Sequence, residues 1–160
     1  MFELLAGQSV HAIAGQVSEC NERMPGLYVA QSQADDSLFR FGESQNLASR
    51  RSMHAGPAAH AGWAKPPNWT ETYRPWKFRW AAVFPNANRC CVRKCEDLLS
   101  GTLAEHFEAV DPSGFRVPRE LHEVLSTVLN PLIPRFQKIA DMQTGAFFNK
   151  NVYWLPKMVR

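Results

Sequence analysis

The sequence predicts an α+β domain, and three observations carry that reading. Two short apolar runs are joined by a polar turn, a third run alternates over the best strand pattern in the chain, and a long 3.6-periodic segment follows it. With 160 residues, 45% of them hydrophobic, the chain suffices for one core and is short for two, so residues 1–160 are expected to form a single domain.

The first two runs are Leu27-Tyr28-Val29-Ala30 after Pro25-Gly26, and Leu38-Phe39-Arg40-Phe41-Gly42. The turn between them, Ser32 to Ser37, holds Asp35 and Asp36, so a hairpin is the natural reading. Alternation puts Tyr28 and Ala30 on one face of the first strand, and Phe39 with Phe41 on the face of the second opposite to Arg40 and Gly42. Asn46 has the character of an N-cap for a short helix over Leu47–His54, on which Leu47, Arg50 and His54 share a face. Residues 55–75, rich in Gly, Pro, Ala and Trp, read as a loop. Trp76–Phe84 reads as a strand that alternates Lys77 and Arg79 with Trp76, Phe78 and Trp80, and Pro85 ends it.

A long helix is expected next, capped near Asn86 or Asn88 and ending near His106 or Phe107. Its stripe Val92, Glu96, Leu99, Leu103 sets a carboxylate in line with apolar side chains. An ionised carboxylate buried there needs a metal ion, an arginine or a hydrogen-bond network, unless it reaches solvent at the edge of the stripe. Beyond the Asp111–Gly114 turn come a helix over about Arg119–Leu129, a Pro-bounded piece over Leu132–Met142, and a last run from Phe147 to Trp154. Phe2–Cys20 reads as one or two short helices.

The net charge is only +3, but it is unevenly spread. Between Arg50 and Cys95 there are nine basic residues and one acid, Glu71, and the remainder carries nine basic residues against fourteen acids. This block also contains Trp63, Trp69, Tyr73, Trp76 and Trp80. The combination suits a phosphate backbone with rings that stack or wedge; the plainer alternative is a solvated face with core aromatics. No apolar run is long enough to span a bilayer and no signal peptide is indicated, so a cytoplasmic protein without membrane contact is expected. Cys90, Cys91 and Cys95 are too close together for a disulfide framework and lack C-x-x-C pairs, leaving buried thiols or, less simply, a zinc site.

The ordered set Gly26-Leu27-Tyr28, a hairpin, Arg40-Phe41-Gly42, Asn46-Leu47, Arg50, His54, then a strand and a helix bearing Glu96 resembles the GIY-YIG nuclease superfamily. The resemblance covers residues 25–107. It implies a small antiparallel three-stranded sheet flanked by helices, with 1–24 and 108–160 as family-variable helical additions. It also implies a metal-dependent endonuclease that hydrolyses phosphodiester bonds of DNA, double-stranded DNA being favoured, in restriction, phage conflict or a mobile element. By that resemblance Tyr28 lies against the attacking water, Arg50 holds the scissile phosphate, His54 assists there, and Glu96 is the protein ligand of Mg2+ or Mn2+. Arg40 replaces the usual second-motif tyrosine, as lysine does in a phage-type branch, and as a cation beside Tyr28 it would favour the phenolate. Asn149 is a counterpart for the family's late asparagine. Lys65, Arg74, Lys77, Arg79, Lys150 and Lys157 would grip phosphates, and a double-strand cut would take a homodimer or two visits. The alternative is a nucleic-acid-binding module whose catalysis has decayed.

Overall fold

The computed structural model describes residues 9–14, 23–56, 72–85, 87–111 and 113–150, without the side chains of 143–150. Its centre is an antiparallel sheet of β1 (His11–Ala14), β2 (Gly26–Ser32), β3 (Leu38–Ser44), β4 (Trp76–Val83), β5 (Glu108–Asp111) and β6 (Gly114–Arg116). These six strands lie in the order β1-β4-β2-β3-β6-β5. The three strands expected from the sequence are its middle, β4-β2-β3, and the domain is α+β as expected. The three-stranded sheet is corrected to six strands. His11–Ala14 pairs with β4 where a helix was expected, and the β5–β6 hairpin pairs with β3. Those additions are three or four residues long, too short for a pattern of their own; they form because the edges of a three-stranded sheet leave backbone groups unpaired.

The β2–β3 turn is built by its polar side chains. Ser32 Oγ accepts from the backbone N–H groups of Ala34 and Asp35, both at 3.0 Å, while donating to Tyr73 O at 2.7 Å. Asp35 Oδ1 accepts from Ser37 N at 3.1 Å. Helix α1 (Leu47–Ala55) is capped by Asn46, which accepts from Ser49 N at 3.0 Å. Helix α2 (Arg89–His106) is capped by Asn88, which accepts from Cys91 N at 2.9 Å. The segment expected as one helix over Arg119–Leu129 is a 3-10 stretch (Arg119–Val124) leading into α3 (Leu125–Leu129). After a 3-10 turn, Asn130–Leu132, α4 runs over Ile133–Lys150. No helix among the described residues is long and apolar enough to cross a membrane.

The sheet has two covered faces. Leu27, Val29, Phe39 and Phe41 pack against α2 (Val92, Cys95, Leu99, Leu103), with Leu129 and Phe136 closing the same core. Tyr28, Ala30, Trp76 and Phe78 form a smaller cluster on the other face with Leu47 of α1. Gly26 admits α1 this closely: a Cβ there would stand 2.2 Å from Ala82 O and 2.6 Å from Leu47 Cδ1.

Trp80 departs from the alternation expected for β4. The register runs Val29 opposite Trp80 and then Ala30 opposite Phe78, so Arg79 is an extra residue in a β-bulge. The bulge sends Trp76 and Phe78 to the α1 face and Trp80 to the α2 face. There Trp80 Nε1 donates to Asn130 Oδ1 at 2.9 Å, which satisfies the indole of a fully buried tryptophan.

Candidate phosphate-binding face

Tyr28 is fully buried in the middle strand of the sheet, its ring stacked on Phe78 with centroids 4.7 Å apart and planes 6° apart. Its hydroxyl lies 3.2 Å from His54 Nε2. Gly42, paired with Tyr28, makes room for that ring, since a Cβ at Gly42 would stand 2.6 Å from the hydroxyl. The helix periodicity that sets Leu47, Arg50 and His54 on one face of α1 therefore pins Leu47 over Gly26 and His54 over Tyr28.

Arg40 pairs with Ala30 and projects onto this same face, as the alternation requires. Its guanidinium carbon is 5.9 Å from the centroids of both the Tyr28 and the Trp76 rings. Its Nε is buried with no hydrogen-bond partner. Arg74 donates from Nη2 to the carbonyl of Met53, the residue before His54. Burial, and then the charges of Arg40, Arg50 and Arg74, push the His54 imidazole down to a pKa of about 3. His54 is therefore a neutral imidazole under the charge of three guanidinium groups, able to accept a hydrogen bond from the Tyr28 hydroxyl. Beside α1 opens a pocket of about 180 Å³, lined by Arg51, Ala55, Trp76 and Phe78 among others. Two larger hollows lie away from these residues: one of about 530 Å³ by Glu105, Phe107 and Arg116, and one of about 550 Å³ by Leu98, Arg135 and Ile139.

Glu96 is not part of this assembly. Its helix covers the opposite face of the sheet. The side chain next to it in charge is Glu43, the strand neighbour of Gly42, which by alternation points away from Tyr28. Glu43 is held by Arg89 at 3.2 Å and Arg93 at 3.8 Å. Burial, then Glu43, then Asp97 push the Glu96 carboxyl above its usual range. The buried stripe of α2 is completed by Cys91 and Cys95, so Glu96 stands at its edge, partly buried. A magnesium or manganese ion on Glu96 and a phosphate at Arg50 would be separated by the sheet, so the residues do not fit one shared between them. Among the described residues no cluster of three or more His, Cys, Asp or Glu side chains could hold a metal ion. Cys91 and Cys95 are buried free thiols and Cys90 is an exposed one.

The expected phosphate grips divide similarly. Arg74 joins the α1 face. Arg79, the bulge residue, donates to Gln31 Oε1 instead, while Lys77, exposed between Trp76 and Phe78, borders the pocket beside α1. Lys65 and Lys157 lie outside the described residues. Asn149 and Lys150 fall in the last turn of α4, where side chains are not described. Glu43 went unremarked in the sequence; the available signal was a carboxylate at an inward position of a strand whose odd residues are apolar.

No family model, curated protein or solved structure matches this chain.

Proposed function

We propose that the protein binds nucleic acid, DNA in the first instance, by gripping phosphate at the face formed by Arg40, Arg50, Arg74 and His54. The observation that carries this reading is the convergence of three guanidinium groups, from β3, α1 and the segment before β4, on a neutral imidazole. Four other arginines of the described residues meet carboxylates: Arg89 and Arg93 meet Glu43, Arg116 meets Asp35, and Arg119 meets Asp36. Arg40 and Arg50 have no such partner among the described residues, and a guanidinium fork without a carboxylate matches a phosphate in the same geometry. In the sequence, Arg50 and Arg74 belong to the Trp-containing basic block between Arg50 and Cys95, which supports the same reading. Binding to a labelled duplex and to a labelled single strand, titrated against salt, tests it. Each lost arginine contact should reduce the salt slope by about 0.7 to 0.9. Arg50→Gln with an unchanged slope and affinity would remove Arg50 from the interface.

Phosphodiester cleavage is the second reading, and the Tyr28–His54 contact is what favours it. The imidazole, too weak a base to take the phenol proton, can accept its hydrogen bond and orient the hydroxyl while the arginines offset charge on the phosphoryl oxygens, although Tyr28 would have to be uncovered to meet a substrate. Supercoiled plasmid incubated with magnesium, manganese or chelator separates the readings. Nicking that survives Glu96→Ala and is lost in His54→Gln would place cleavage at Tyr28 and His54. Nicking lost in Glu96→Ala and in chelator would restore the metal-dependent endonuclease. Retained binding with no cut strand is the outcome expected here.

A further inference from the structure

The same face carries a narrower reading, which rests on the nucleic-acid assignment above. Its cations act together on His54, and one of them, Arg40, is backed by buried rings. Arg40 lies against Tyr28 and Trp76, which are 0% and 1% exposed, and its Nε is enclosed with no partner. Arg50 stands one turn before His54 on α1, and the Arg74 guanidinium is fixed at the end of the same helix through Met53 O. An internal stretch of backbone carries one negative charge per phosphate and must enter and leave its site, so cations that serve it are spread along a groove. A terminal phosphate carries about −1.5 to −2 near neutral pH and presents three free oxygens from one direction. Arginine forks that act together, one of them backed by buried rings, match the second ligand in charge, donor count and access.

We propose that the Arg40–Arg50–His54 cluster is an end-binding site, which takes the phosphate monoester at a nucleic-acid terminus in preference to internal phosphodiesters. Single-stranded oligonucleotides of one sequence, labelled internally and ending in a 5′-phosphate, a 3′-phosphate or hydroxyls only, are to be compared by fluorescence anisotropy with the full chain. One of the phosphorylated ends is expected to bind at least about tenfold tighter than the hydroxyl-ended strand, and which end does so identifies the terminus. Arg40→Gln and Arg50→Gln should each pull that ratio toward one. Arg50 is only partly buried on a helix face, so its variant keeps the test open if Arg40→Gln does not fold. Equal affinity for all three strands would overturn the end-binding site while leaving nucleic-acid binding in place. Binding to none of them at low salt would overturn both.

Discussion

Replacing Gly42 by alanine tests the packing on which the whole α1 face depends. A Cβ at this position would stand 2.6 Å from the Tyr28 hydroxyl, 2.9 Å from Cζ and 3.1 Å from Cε1. The ring cannot yield easily, because it is fully buried and stacked on Phe78 on its way to His54. Overpacking of a filled core costs about 1–3 kcal/mol. Displacing the hydroxyl from His54 adds about 1 kcal/mol for the lost hydrogen bond. The expected loss is therefore about 2–4 kcal/mol, or roughly 5–15 °C in Tm for a domain of this size. Urea unfolding followed by tryptophan fluorescence and circular dichroism reads it, with Tyr28→Phe and the double variant completing a cycle. The clash with the hydroxyl vanishes in the Tyr28→Phe background, so Gly42→Ala should cost clearly less there. A Gly42→Ala domain within about 0.5 kcal/mol of wild type, at the scale of an ordinary surface substitution, would show that the tyrosine is not held as described.

Gly101, exposed in the interior of α2, has nothing within 4 Å of an added Cβ, and Gly101→Ala should stabilise the domain by about 0.5–1 kcal/mol in the same titration. Asn46→Ala removes the cap on Ser49 N and should cost about 1 kcal/mol. His54 has a folded pKa of about 3 against an ordinary 6.5. Between those values the unfolded chain binds the proton first, so stability falls as pH drops through this window, with a slope approaching about 1.4 kcal/mol per pH unit. That contribution to the slope should vanish in His54→Gln, and an imidazole titrating near its ordinary value by NMR would contradict the burial. Glu43→Gln removes one of the charges that raise the Glu96 carboxyl, so the Glu96 pKa should fall when followed by carboxyl NMR; an unchanged value would mean that the two carboxylates do not share one side of the sheet.

Local pattern carried much of this architecture. The alternation in Gly26–Ser32 and Leu38–Ser44, the turn chemistry of Ser32 and Asp35, and the caps Asn46 and Asn88 all act over a few residues. So does the α1 face that brings Arg50 and His54 together, and the same alternation places Arg40 beside Tyr28. Three features depended on contacts between distant segments. The outer strands β1, β5 and β6 exist because open sheet edges offered them hydrogen bonds. The bulge at Arg79 breaks the period of β4 and carries Trp80 across the sheet, which no alternation count foretells. Most consequential is the side of the sheet on which α2 lies. The stripe Val92, Leu99, Leu103 required burial without stating against which face, and tertiary packing put it on Leu27 and Phe39. Glu96 was thereby set beside Glu43 and across the sheet from Arg50. A helix stripe fixes which residues are buried, while the face that receives them is decided by how the whole sheet fills its two cores.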